Sequence, residues 1–197
     1  LVDQYDAVLL ATGATNPFEP TGRCPGRALD GIQLAMDYLT RNTKSLLDSN
    51  LDDKHYLSAK HKYEIVNGGG DTGADCIGTS LRHGAKSIVN FELLAKPPAD
   101  RADDNPWPQW PRIYRVDYSH AEMEARTGND PRTYQILTKE YVGNDAGRIT
   151  GVKTVQIDWS KPGEKAPFSE VAGSEKTWPA DLVLLATGFV GPELSVG

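Results

Sequence analysis

The chain has 197 residues, 39% of them hydrophobic and 24% charged, a balance that suits a soluble globular fold and excludes disorder or a fibrous repeat. A formal net charge of -6 with scattered Lys and Arg argues against nucleic-acid binding, because neutralising phosphates requires clustered bases. The apolar runs are about a third of a membrane span, and Cys24 and Cys76 are too far apart for a C-x-x-C motif, so a reducing, cytoplasmic setting is expected.

In chain order, residues 5–11 (YDAVLLA) form a short apolar run bounded by Asp6 and by Thr12-Gly13, which predicts a buried strand. The pattern returns once: DLVLLATG at 181–188 repeats DAVLLATG at 6–13 with one residue changed. Two strand-to-loop corners lying side by side, with the intervening chain inserted as one excursion, explain the echo. The spacing of Ile32, Ala35, Met36 and Leu39 predicts a helix over 30–39, with Asp30 as its cap. Residues 42–62 are polar and read as a linker.

Residues 63–67 then read as a strand, 68–71 as a turn, 72–83 as a helix ended by Gly84, and 86–91 as the next strand. This is a β-α-β unit of about thirty residues. Five prolines among residues 94–111, interleaved with Trp107 and Trp110, exclude a helix or central strand there and predict an ordered loop. Residues 134–142 and 149–159 are β-rich and joined by GNDAG, a predicted hairpin, and 161–176 reads as an exposed loop before the last strand.

The chemistry sits in NGGGDTG at 67–73. Gly68, Gly70 and Gly73 satisfy G-x-G-x-x-G between a strand and a helix, the setting in which the pattern binds a dinucleotide. The first glycine allows the turn, the second admits a pyrophosphate to the backbone, and the third lets helix and strand pack. The helix N-terminus offers its N–H groups and partial positive charge to the anion. About twenty residues on, Glu92 ends the second strand, where a carboxylate accepts ribose hydroxyls and repels a 2'-phosphate, favouring NADH over NADPH. Only Lys96 lies nearby in sequence as a phosphate partner. The four histidines show no metal-ligand spacing, and no serine has a hydrolase setting. No metal site and no acid–base catalytic residue is assigned.

GGGDTGADCIGTSLRHGAKSIVNFELL, the loop DNPWPQWPRIYRVDYSH and ADLVLLATGFVGPE together resemble the NADH-dependent glutamate synthases, in the small subunit or the corresponding C-terminal region. The resemblance implies an α/β fold: a Rossmann-like NAD(P)-binding domain with a β-rich hairpin, flanked by strands of a truncated FAD-binding domain. It divides the chain into 1–42 as part of the FAD-binding domain, 43–180 as the inserted NADH-binding domain, and 181–197 as the start of the return. Gly68, Gly69, Gly70, Asp71, Thr72 and Gly73 would hold the NADH pyrophosphate and Glu92 the ribose. Thr12, Gly13, Thr187 and Gly188 would lie at the junction near flavin and nicotinamide.

The implied activity is hydride transfer from NADH to FAD, for synthesis of glutamate from glutamine and 2-oxoglutarate. Iron–sulfur clusters and FMN would belong to the rest of the enzyme, and the partner would be the large glutaminase/FMN subunit or region, in the cytoplasm or a plastid. Both termini read as cuts through a longer protein. A truncated, non-catalytic nucleotide-binding module is the alternative reading, as is a flavin reductase with another acceptor, against which the Trp-Pro loop argues. One departure stands out: the family strand before the glycines is usually apolar, whereas Asn67 ends it here, which predicts a weakened or altered turn.

Overall fold

A computed structural model describes residues 3–11, 13–19, 24–163 and 166–192. The first element is a two-residue strand, β1 (Asn16–Pro17), followed by β2 (Ile32–Leu34), which runs straight into α1 (Ala35–Ser49). The β-α-β unit follows as β3 (Tyr63–Asn67), α2 (Asp71–His83) and β4 (Ser87–Phe91). After an irregular stretch come α3 (Tyr118–Thr127), the short β5 (Arg132–Thr133), and the long strands β6 (Ile136–Gly143) and β7 (Ile149–Asp158). The chain continues through β8 (Ser169–Glu170), β9 (Lys176–Pro179), β10 (Leu182–Leu185) and β11 (Phe189–Gly191).

Among the described residues, β2, β10, β3, β4 and β5 form a parallel sheet in that order. Its centre is buried on both faces, so β10 reads LVLL with every residue inside. On one face, Val66, Leu182 and Leu184 pack with Ala35 and Tyr38 of α1 and Cys76 and Ile77 of α2. On the other, Ile65, Val183 and Leu185 pack with Tyr141, Ile149 and Val152 of the β6–β7 hairpin. The period-2 alternation of each strand thus feeds two cores, and the molecule has three layers: helices, parallel sheet, antiparallel sheet. The strands β2 and β10 lie outside residues 43–180 in sequence, and α1 (Ala35–Ser49) crosses the 42/43 boundary, yet all three share this sheet and its helical layer.

The β-α-β unit and hairpin match their expected places. The α2 helix stops at Gly84, which takes the left-handed conformation (φ 81°) and returns its N–H to Leu81 O. In the hairpin turn, Asn144 Oδ1 accepts the N–H groups of Ala146 and Arg148.

Three expectations fail. Residues 5–11 form no strand, and Leu9 and Leu10 are 91% and 78% exposed. Their near-copy β10 has β2 and β3 on its two edges, whereas no described strand flanks residues 5–11. A run of apolar residues becomes a strand only where neighbours take its hydrogen bonds. The two corners do meet just after the repeat, where β1 pairs antiparallel with β11 and Phe18 N donates to Gly188 O at 2.8 Å.

The helix expected over 30–39 begins at Ala35 instead, because Ile32–Leu34 pair with β10, and Asp30 caps nothing. The supposed linker at 42–62 is helical to Ser49. Its polar residues are the solvent face of α1, supported by the Lys44–Asp48 pair, while Tyr38 and Ser45 face inward. Helix α3 was not anticipated at all; Asp117 and His120 form a capping box at its start.

One buried charge-bearing group interrupts the helical-side core. Glu64 of β3 is 1% exposed, and neither carboxylate oxygen has a hydrogen-bond partner. Burial pushes its pKa up to about 8, with the Ser80 hydroxyl and the Lys62 charge offsetting only part of that. The folded state therefore holds a proton that the unfolded chain releases above about 4.5. Stability from this group is full below the unfolded pKa, declines as pH rises through the window from 4.5 to 8, and is lowest above it. Glu64→Gln should remove that decline, raising stability at pH 8 by on the order of a few kcal/mol while changing it little at pH 4.5. Denaturant melts of both proteins across that range will check it.

Candidate functional site

The turn from β3 into α2 is built from what its glycines lack. Gly68 has φ 115°, and a Cβ built there would sit 2.2 Å from Ala186 O. A Cβ on Gly73 would sit 2.2 Å from Gly68 O, so the first turn of α2 packs directly on the loop backbone. Gly70, the N-cap, has an ordinary φ of -78° and nothing within 4 Å of its would-be Cβ. These are the three separate uses expected of the fingerprint: a turn, an open approach and a close packing. Asp71 and Thr72 follow in the first turn of α2, where Gly70 supplies no side-chain cap. Its leading N–H groups point out from the C-terminal edge of the parallel sheet.

Asn90, fully buried on β4, pins the loop. Its Nδ2 donates to Val66 O at 3.1 Å and Gly68 O at 2.9 Å, and Gly68 N donates to Phe91 O. The predicted weakness at Asn67 is absent. Asn67 keeps its parallel pairing with Phe91 and Leu185, and its carbonyl accepts Ala186 N–H at 2.8 Å. It is half-buried, and its Nδ2 donates to Thr138 Oγ1 of β6 at 3.3 Å, so the amide finds a partner that an apolar strand would not offer.

Glu92 bends back onto the turn: a Cβ on Gly69 would lie 1.0 Å from its Oε1. The absence of a side chain at Gly69 thus leaves room for this carboxylate in its present position. Burial raises the Glu92 pKa, and the Arg132 charge opposes the rise. On this side a cleft of about 540 Å³ is lined by Gly69, Gly70, Glu92, Trp110, Arg115 and Arg132, among others. Arg132 is held by Asp130 at 2.6 Å, while Arg115 has no ion-pair partner among the described residues and lies over the Trp110 ring at 4.8 Å. These two arginines, distant from Glu92 in sequence, line its cleft, whereas the local segment offers only Lys96. They arrive from the Trp-Pro segment and β5, 23 and 40 residues along the chain, and no local pattern marks them.

A second cleft, about 680 Å³, opens on the hairpin side of the same turn. Phe18, Phe91, Leu94 and Ile136 give it an apolar lining, and Asn67, Thr138, Thr187 and Gly188 border it. Thr187 Oγ1 donates to Phe18 O, tying the second corner to the first. Gly13 is exposed with φ 79° and does not line either cleft; Thr12 lies outside the described residues. Among the described residues, no group of three or more His, Cys, Asp or Glu side chains could hold a metal, and no helix is long and apolar enough to cross a membrane.

No family model matches the chain. Glutamate synthase (NADH) of Schizosaccharomyces pombe is 55% identical over 96% of the chain, and glutamate synthase (NADPH) small chain of Bacillus subtilis is 45% identical over 98% of it. The chain matches a fragment of glutamate synthase. It spans 9% of the length of the yeast protein and 39% of the bacterial small chain. Among solved structures, FprA of Mycobacterium tuberculosis in complex with NADPH superposes with a TM-score of 0.60 over 99% of the chain and 52% of its own length. At 13% identity that likeness is one of fold alone, built on a Rossmann-like parallel sheet.

The turn from β3 into α2 makes a differential prediction. Gly68→Ala forces a side chain into a positive φ and onto the Ala186 carbonyl, and should cost about 2–3 kcal/mol, or roughly 5–10 °C in Tm. Gly70→Ala meets open space and should leave Tm unchanged while weakening dinucleotide binding at least tenfold. Thermal melts and nucleotide titrations of the two variants check it; equal losses of Tm would contradict it.

Proposed function

We propose that the chain is the NADH-binding portion of a glutamate synthase, delivering reducing equivalents to FAD for reductive synthesis of glutamate from glutamine and 2-oxoglutarate. The observation that carries the reading is the open turn at Gly70, leading α2, with the Glu92 carboxylate seated against Gly69. Gly68, Gly69, Gly70, Asp71, Thr72 and Gly73 hold the pyrophosphate, chiefly through N–H groups whose direction the pinned loop fixes. Glu92 accepts the adenosine ribose hydroxyls. Its partly desolvated carboxylate has one open hydrogen-bonding role here, and a 2'-phosphate beside it would meet like charge.

Bound NADH supplies a hydride and FAD accepts it. The residues of this chain orient and exclude water: the apolar lining of the hairpin-side cleft covers a flat ring, and Thr187 and Gly188 border the flavin. In this reading residues 1–42 and 181–197 are the crossings between a flavin unit and the inserted unit 43–180. Small-chain relatives support a large-subunit partner, and fungal relatives of much greater length support a fused region in its place. Iron–sulfur clusters and FMN belong to those other parts.

A second reading, NADPH in place of NADH, has a specific observation in its favour: Arg115 is unpaired at the edge of the Glu92 cleft and could take a phosphate. The bacterial small chains are named for NADPH. Titration of the full chain with both nucleotides decides between them. NADH is expected to bind at least tenfold tighter than NADPH, and Glu92→Ala to narrow the gap by weakening NADH and admitting NADPH. Equal affinities unaffected by Glu92→Ala would sink the NADH assignment. A preference for NADPH that Arg115→Ala abolishes would establish the second reading.

A further inference from the structure

The hairpin-side cleft is apolar on most of its wall, and among its polar lining residues Asn67 and Thr138 lie side by side. Asn67 ends β3 on the sheet face that carries Ile65 and Phe91, the face covered by the hairpin. Thr138 lies on β6, and its hydroxyl accepts the Asn67 Nδ2–H at 3.3 Å. That bond uses one Asn67 N–H and one Thr138 lone pair. The Asn67 Oδ1 is left as an acceptor and the Thr138 O–H as a donor, and both residues line the cleft. Lys139, the next residue on β6, is held by Glu170. Ala186, Thr187 and Gly188 close the far end.

A free acceptor beside a free donor is the complement of a primary carboxamide, which offers an N–H and a carbonyl oxygen side by side. The dinucleotide reading puts such a group in reach. If the pyrophosphate sits on the α2 turn and the adenosine runs toward Glu92, the other half extends into this second cleft. There a flat ring finds apolar walls and its one polar substituent needs partners, since a buried amide without them costs about 1–3 kcal/mol. We propose that Asn67 and Thr138 together bind the carboxamide of the nicotinamide, Asn67 Oδ1 accepting its N–H and the Thr138 hydroxyl donating to its oxygen. The two residues are positioning and specificity residues for the ring end of the cofactor, and the inference rests on the dinucleotide reading above. It also accounts for a polar residue at a strand position otherwise suited to an apolar one.

The test separates the two halves of the ligand. Dissociation constants of the full chain for NADH, for ADP-ribose and for the 3-acetylpyridine analogue of NADH, which replaces the carboxamide NH2 by methyl, are measured for the parent, Asn67→Val and Thr138→Val. Valine suits a strand, and unchanged ADP-ribose affinity reports that the turn is intact in each variant. In the parent, NADH should bind about tenfold tighter than the analogue. Both variants should lose about tenfold in NADH affinity with ADP-ribose unchanged, and in Asn67→Val the difference between NADH and the analogue should vanish. Parallel loss of NADH and ADP-ribose, or no loss of either, overturns the carboxamide assignment and leaves the dinucleotide reading standing. Failure of the parent to bind ADP-ribose overturns both.

Discussion

The position of one carbonyl, Gly68 O, governs the rest of the site. On one side it accepts Asn90 Nδ2 from the neighbouring strand, and on the other it occupies the volume that a Gly73 side chain would fill. These two contacts fix how far α2 can approach β3. With them goes the left-handed φ at Gly68, whose missing side chain would strike the carbonyl of Ala186, the residue just past β10. Three strands and a helix are therefore keyed to a single peptide group. The free N–H groups of the α2 N-terminus acquire their direction from that key, with no side chain of their own to supply it.

The same edge separates two environments. The parallel sheet has one core with helices and another with the hairpin, and both clefts open where those cores run out at the C-terminal ends of the strands. Ligands of doubly wound sheets bind at this edge because the layers there leave backbone polar groups that no neighbour takes. The two sides differ in chemistry. Arg115, Arg132 and Trp110, with Glu92 on the border of both clefts, suit a charged, hydrogen-bonding nucleoside, whereas Phe18, Phe91 and Ile136 suit a flat ring. A ligand with one half of each kind is oriented by the asymmetry before any specific hydrogen bond forms.

What could be read from sequence follows a physical division. The glycine turn, α2 and its Gly84 stop were legible because each depends on local geometry: a positive φ, a missing Cβ, a 3.6-residue period. The start of α1 was misread because Ile32, Ala35 and Met36 satisfy a helical spacing, while the pairing of Ile32–Leu34 with β10 spans about 150 residues and leaves no local trace. Linker and surface helix look alike in composition, and between residues 42 and 49 only the inward Ser45 distinguishes them. Within the site, Glu92 was found by its fixed distance from the glycines. Arg115, Arg132 and Thr138 were not, since the loop, β5 and the hairpin bring them in from places whose separation the turn does not set.

The near-identical octapeptides at 6–13 and 181–188 put that division to its sharpest use. One gives a fully buried central strand; the other, differing at one residue, gives exposed leucines outside any described sheet. Strand propensity is too small a cause for the difference, because seven of the eight residues are shared. What differs is the presence of β2 and β3 on the edges of β10, so the conformation is a property of the neighbours. Asn67 follows the same logic. An amide at the end of a buried strand looks like a defect until Thr138 is placed opposite it, and the hairpin that places Thr138 is itself seated by Ile65 and Val183 of the sheet. The residue that the local pattern marks as a fault is satisfied by the layer that the pattern does not describe.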